Sequence, residues 1–166
     1  MNHLTYSVES ALRSQNWETA LSLGLALPDI AGRVEYPDLG SGRRYSLWFD
    51  QYVGHRYSHE IGADKTLHVF LSGDDCYALR CAYLHEGSSD ITQQRARKAL
   101  DSFLFSKPFP GANIHCNQSG NKLQLQVDIF CNDIIDGVHQ WLSDISGTAK
   151  ESLVQNFLKI DDIGSF

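Results

Sequence analysis

Residues 77–87, which read Tyr-Ala-Leu-Arg-Cys-Ala-Tyr-Leu-His-Glu-Gly, carry the clearest chemical signal in the sequence. Arg80 is followed by four residues and then by His85. An imidazole moves protons near neutral pH, and the planar fork of an arginine holds two phosphate oxygens. Cleavage of RNA by its own 2′-hydroxyl needs both functions. The residue types therefore fit phosphodiester chemistry in which His85 transfers protons and Arg80 stabilises the phosphate, a scheme that requires no metal or cofactor.

The spacing of this pair limits how one chain could use it. No other arginine in the sequence has a histidine five to seven positions after it. On an ideal helix, five positions turn two side chains about 140° apart and separate them by about 7.5 Å along the axis. One straight helix therefore does not aim both groups at one phosphate. Fraying at Gly87 could redirect His85, or a two-fold dimer could bring two copies of the pair around one groove.

An Arg-x4-His segment at the end of a central helix resembles the HEPN superfamily, whose ribonucleases carry this pair on a helix of a small bundle. The resemblance in sequence covers residues 77–87, and the rest is one of architecture. It implies a metal-independent endoribonuclease that acts on RNA as a homodimer, often in a toxin or defence role. Cys81 departs from the family, where Asn, Asp or His often follows the arginine.

Two other functions remain compatible with the same residues. A non-catalytic HEPN-like module would bind a nucleotide, RNA or protein partner, which Cys81 and the acidic charge favour. In a plain helical interaction protein, Arg80 would pair with a nearby carboxylate or lie on a solvated face, and His85 would stabilise its own helix end through the dipole. The nearby carboxylates are Asp74, Asp75 and Glu86.

Further charged residues could join the site. Arg95, Arg97 and Lys98 follow the motif closely and could supply phosphate-binding contacts, or could lie on a solvated helix face. Asp29 and Arg33 could be polar groups turned toward the site, or could form a buried ion pair.

Other motifs are weaker. His55 and His59 precede Glu60, but the His-Glu-x-x-His order of zinc proteases is absent and a surface loop is expected. Residues 40–42, Gly-Ser-Gly, lack the strand-turn-helix setting of a phosphate loop, so we expect a plain turn. The cysteines form no Cys-x-x-Cys pair, so we expect buried thiols and no metal site. They are Cys76, Cys81, Cys116 and Cys131.

Length and charge bound the possible partners. The chain has 166 residues, 42% of them hydrophobic, which predicts a single domain over residues 1–166. The resemblance implies that this domain is HEPN-like. Its net charge of −6 argues against a protein that coats DNA or RNA. Residues 1–7 lack the pattern of a signal peptide, and the apolar stretch 20–30 is too interrupted to span a membrane. We therefore expect a cytoplasmic protein with no membrane partner.

Hydrophobic periodicity predicts a mainly α fold, a helical bundle with one β-hairpin. The resemblance implies that this bundle is HEPN-like and that the hairpin is inserted into it. Pro28 should end or kink the second helix, which begins after Asn16 and has a shorter piece up to residue 34. Residues 54–65 should be irregular, and residues 67–71 should form a strand or an extended loop. The hairpin should pair residues 114–116 with a strand at 123–129. Helices are expected at residues 4–13, 17–28, 43–52, 74–85, 90–104, 134–145 and 148–158.

Overall fold

The computed structural model describes residues 1–160, and most of their regular structure is helical, which confirms the mainly α prediction. The end of the expected single domain, residues 161–166, lies outside the described residues. The helices are α1 (Asn2–Arg13), α2 (Trp17–Glu35), α3 (Ser41–Tyr52), α4 (Gly73–Glu86), α5 (Val127–Ile145) and α6 (Ala149–Gln155), with a short 3₁₀ helix at Gly54–Tyr57. The strands are β1 (Ser58–Ile61), β2 (Thr66–Val69), β3 (Ser102–Ser106), β4 (Asn117–Ser119) and β5 (Lys122–Gln126).

Helices α2 to α5 surround a core in which Trp48 and Trp141 are fully buried and meet edge to face. Two glycines let helix α3 approach its neighbours closely. A Cβ atom on Gly32 of α2 would lie 2.9 Å from the carbonyl oxygen of Arg44, and one on Gly73 of α4 would lie 2.3 Å from that of Ser46. Since real Cβ contacts are longer, helices α2, α3 and α4 meet at separations that only glycine permits.

The prediction for Pro28 was that it ends or kinks the second helix, and the first of these alternatives is wrong because α2 continues past Pro28 to Glu35. Proline removes one hydrogen-bond donor from the helix and crowds the preceding turn. In that turn the buried hydroxyl of Tyr45 donates to the carbonyl oxygen of Leu25 at 3.2 Å. Packing on α3 and α5 stabilises the helix across this position. The continuation carries Asp29 and Arg33 as part of the same helix.

The helix that carries the motif begins and ends as predicted. Ser72 is its N-cap and accepts a hydrogen bond from the backbone N–H of Asp75 at 3.1 Å. Gly87 ends it in the left-handed conformation, with φ of 65°, which a glycine adopts without strain. The sequence thus contains both boundaries of α4, and His85 lies in its last turn.

The β-structure differs from the predicted single hairpin. Strand β1 lies within residues 54–65, which were expected to be irregular, whereas its antiparallel partner β2 covers the beginning of residues 67–71, where a strand or extended loop was predicted. A second sheet has the order β3-β5-β4, with β3 parallel and β4 antiparallel to β5. The expected hairpin exists as β4–β5, but residues 117–119 form its first strand rather than 114–116. Strand β5 stops at Gln126, because α5 begins at the next residue.

The predicted helix over residues 90–104 is wrong. Residues 92–101 form an irregular loop, and Ser102–Ser106 is a strand. The cause is the buried carboxylate of Asp75, which accepts the backbone N–H groups of Lys98, Ala99 and Leu100 at 2.6 to 3.3 Å. These N–H groups are then not available for the backbone hydrogen bonds of a helix. The last helix, α6, ends at Gln155, before the predicted limit.

Among residues 1–160, no helix is long and apolar enough to cross a membrane.

Candidate functional site

Arg80 and His85 are in direct contact at the C-terminal end of α4. Nη1 of Arg80 lies 3.2 Å from Nε2 of His85. The arginine side chain is long enough to run along the helix toward the histidine. The two groups therefore meet within one chain, although positions 80 and 85 point in different directions on an ideal helix. The Arg80 side chain is 20% exposed and His85 is exposed to solvent. A charged donor and an imidazole thus meet at an accessible helix end.

The contact defines the roles of the two groups. A guanidinium offers only donors, so the hydrogen bond requires Nε2 of His85 to be the acceptor. Nε of Arg80 is buried and has no hydrogen-bond partner within residues 1–160. The nitrogens that face outward are therefore the part of Arg80 that an anion could reach, beside a histidine able to accept a proton.

Asp29 of α2 anchors Arg80 from the other side. Its Oδ2 accepts from Nη2 of Arg80 at 3.2 Å, and its Oδ1 accepts from Nε and Nη2 of Arg44 at 3.1 and 3.0 Å. The side chains of Asp29 and Arg44 are only 19% and 18% exposed. Two guanidinium groups share one carboxylate, so the junction of α2, α3 and α4 retains one net positive charge.

Asp29 is therefore turned toward the motif, as one of its two readings predicted, whereas the alternative, an ion pair between Asp29 and Arg33, is wrong because Asp29 pairs with Arg44 and Arg80. The continuation of α2 past Pro28 places it there. Arg33, one turn later, is exposed and instead donates from Nη1 to the carbonyl oxygen of Pro37 at 2.6 Å. Sequence reasoning did not identify Arg44, because nothing local distinguishes it from the neighbouring Arg43.

Two tyrosine rings, one on α3 and one on α4 a turn before Arg80, pack against each other. The rings of Tyr45 and Tyr77 lie 5.4 Å apart, and the Tyr77 hydroxyl is 3.0 Å from Oγ of Ser41. Tyr45 is fully buried, and burial raises the pKa of its phenol well above the ordinary value. Cys81 is half-buried and free. The position after Arg80 therefore contributes a thiol rather than the amide, carboxylate or imidazole of many HEPN proteins.

The three cations expected to assist the pair lie on the loop after α4. Arg95 is exposed, and Nη1 of Arg97 forms an ion pair with Asp101. The backbone N–H of Lys98 binds Asp75, in the first turn of α4 and thus at the opposite end of the helix from His85. Within residues 1–160 no hydrogen bond joins any of the three to the motif. A role for them in phosphate binding stays a prediction.

The remaining candidates do not converge on one site. His59 lies on β1 and its ring packs 6.0 Å from that of Phe70, while His55 is in the 3₁₀ helix. Residues 1–160 contain no group of three or more side chains that could hold a metal ion. Cys76 and Cys131 are buried, as expected, whereas Cys81 and Cys116 are half-buried.

A second polar cluster, which the sequence did not reveal, surrounds Asp133 of α5. Its carboxylate accepts from the Tyr57 hydroxyl at 2.9 Å and from Nη1 of Arg56 at 3.2 Å, and Nε2 of His115 lies 3.8 Å away. Burial raises the pKa of Asp133 and lowers that of His115. These residues come from distant parts of the chain, and only the fold brings them together.

Comparisons of this chain with protein-family models, with curated proteins and with solved structures give no match.

Proposed function

We propose that this protein is a metal-independent endoribonuclease of HEPN type, with Arg80 and His85 as its catalytic pair. The observation that carries the proposal is the 3.2 Å contact between the two side chains at an exposed helix end. A phosphate that approached this point would meet a cationic donor and a proton acceptor together. The HEPN-like architecture and a toxin or defence role belong to the same proposal.

The geometry suggests a simple sequence of events. An RNA phosphate takes over Nη1 of Arg80, which releases Nε2 of His85, while Nη2 stays on Asp29. His85 then accepts the proton of the 2′-hydroxyl as its oxygen attacks phosphorus. The bond to the 5′-oxygen breaks and leaves a 2′,3′-cyclic phosphate. Arg80 stabilises the negative charge that grows on the phosphate in the transition state.

The reaction also needs an acid for the leaving 5′-oxygen, and one chain supplies one motif histidine. A two-fold homodimer with α4 at or near its interface would supply a second His85, in keeping with the HEPN resemblance. Leu84 supports this arrangement, because it is apolar, 36% exposed and adjacent to His85. A dimer seen by sedimentation at micromolar concentration is the expected state.

The test is cleavage of a mixed single-stranded RNA pool at pH 6 to 8 in the presence of a chelator. We expect slow cleavage with cyclic phosphate ends. His85→Ala should abolish it, and Arg80→Lys should do so too, since lysine keeps the charge but loses the fork. Matched controls are His139→Ala and Arg13→Lys, which alter exposed residues elsewhere. Activity that survived His85→Ala in a folded protein would refute the assignment.

The alternative is a non-catalytic HEPN-like module that binds a nucleotide, RNA or protein. One observation favours it, because Asp29 already neutralises much of the charge that Arg80 would offer to a phosphate. In that case wild-type protein would leave RNA intact. Adenosine monophosphate or short RNA would still perturb the NMR signals of Arg80 and His85, and Arg80→Lys would weaken that binding.

A further inference from the structure

An apolar groove lies beside β3, between this strand and helices α2 and α4. Its volume is about 320 Å³, near the lower limit for ligand sites, which is room for two or three side chains. Helix α2 contributes Trp17 and Leu21, helix α4 contributes Leu79 and Tyr83, and β3 contributes Phe105. Arg80 and His85 do not line it.

One wall of this groove is an open strand edge. Strand β3 is one of the two outer strands of its sheet. The backbone N–H of Ser102 points inward, to the carbonyl oxygen of Asn121 at 3.4 Å, whereas that of Phe103 points outward, to the carbonyl oxygen of Ser89 at 2.9 Å. Peptide groups alternate direction along a strand, so those of Phe105 also point outward, into the groove that Phe105 lines.

The chain itself covers only the beginning of this edge. Asp90 forms an antiparallel bridge with Ser102, and Ser89 binds Phe103. Gly87, which would lie farther along in the same direction, instead ends α4 in a left-handed turn. One half of the edge is therefore covered by an isolated bridge and one further backbone hydrogen bond, and the other half faces a groove lined by apolar side chains.

We propose that this groove binds an extended peptide of a partner protein, which adds to β3 as an antiparallel strand. The backbone groups of Phe105 would hydrogen-bond to the peptide, and one or two of its apolar side chains would contact Trp17 and Tyr83. Lys107, just past the end of β3, favours an acidic residue in the peptide, and Glu18 on the rim favours a basic one. This proposal does not depend on the nuclease proposal.

The test uses an array of capped octapeptides that alternate valine or leucine with threonine and carry one glutamate and one lysine. Fluorescence polarisation measures binding to the full-length protein. We expect the best peptide to shift the amide signal of Phe105 in NMR spectra. Replacement of its edge-facing amides by N-methyl amides should lower affinity at least about tenfold, because each lost backbone hydrogen bond costs about that factor.

Two variants locate the site on the protein. Leu104→Lys should weaken binding more than about fivefold, because Leu104 lines the groove and is already 46% exposed. Leu67→Lys is the matched control, since Leu67 is an exposed leucine on β2, and it should bind as wild type does. Circular dichroism confirms that both variants are folded.

Four results would overturn the proposal. They are a peptide array without binders, binding that tolerates N-methylation, binding that Leu67→Lys weakens and Leu104→Lys does not, and an edge already occupied by a second copy. The last would appear as a shift of the Phe105 signal with protein concentration alone. Single-stranded RNA that shifted this signal when no peptide did would assign the groove to nucleic acid instead.

Discussion

Replacement of Asp29 by asparagine tests whether the carboxylate between Arg44 and Arg80 fixes the motif. The asparagine side chain is nearly the same size as the aspartate but lacks the charge and one acceptor oxygen. At least one half-buried guanidinium would then lack its partner. The change should lower the free energy of unfolding and increase the mobility of the Arg80 side chain.

The structure sets the magnitude of the effect. Removal of one partner from a fully buried ion pair costs about 3–5 kcal/mol, and a hydrogen bond to a charged group contributes about 1.5–3 kcal/mol. Here the three side chains keep 18% to 20% of their exposure, and the N–O distances are 3.0 to 3.2 Å. This partial exposure and these distances indicate a cost toward the lower end of the span that the two figures cover. We expect Asp29→Asn to cost about 2–3 kcal/mol, or roughly 4–12 °C in Tm for a domain of this size.

Urea unfolding followed by tryptophan fluorescence measures this change. Asp38→Asn is the control, because Asp38 is an exposed aspartate in the loop before α3, and its substitution should change stability by less than about 0.5 kcal/mol. A double-mutant cycle with Arg44→Gln should give a coupling above about 1 kcal/mol. If Asp29→Asn were as mild as Asp38→Asn, solvent would screen the carboxylate and our account of how Arg80 is held would be wrong.

Two further predictions concern stability. Gly73→Ala should lower the free energy of unfolding in urea by at least about 3 kcal/mol, because its Cβ would lie 2.3 Å from the carbonyl oxygen of Ser46. The control is Gly24→Ala, which has ordinary contacts inside α2 and should be neutral or slightly stabilising. Equal costs would contradict the close approach of α3 and α4. Burial lowers the pKa of His115 below its usual 6.5. The contribution of this residue to the free energy of unfolding is therefore present above about pH 6.5 and is lost as the pH falls through the lowered pKa. The urea concentration at the midpoint of unfolding should decrease when the pH is lowered from 7.5 to 5.5. His115→Gln should make this decrease smaller; a decrease of the same size would assign it to other groups.

Local signals in the sequence predicted the helix that carries the motif, because Ser72 and Gly87 mark both ends of α4. The spacing of apolar residues predicted residues 134–145 of α5 but missed its beginning at Val127. These features act through hydrogen bonds and packing within a few residues of one another. The contact between Arg80 and His85 was only partly predictable, because it depends on the conformation of a flexible side chain. The nuclease function stays a prediction.

The errors have tertiary causes. The apolar spacing of Ala96, Leu100 and Phe103 fits a helix, but a buried aspartate more than twenty positions earlier takes the backbone donors that a helix would need. The alternative signal, aromatic residues in Ser-Phe-Leu-Phe-Ser at 102–106, is typical of a strand. Helix α2 likewise passes Pro28 because its neighbours support it. Periodicity cannot reveal such long-range partners.

The hydrogen bonds of Asp75 also bear on the order in which the chain assembles. This carboxylate belongs to the first turn of α4, yet it holds the backbone of residues 98–100. The loop cannot take its native path until that turn has formed, and β3 follows the loop directly. Helix α4 should therefore precede the parallel pairing of β3 with β5. The first turn of α4 and residues 98–100 should also open together as one cooperative unit in the folded protein.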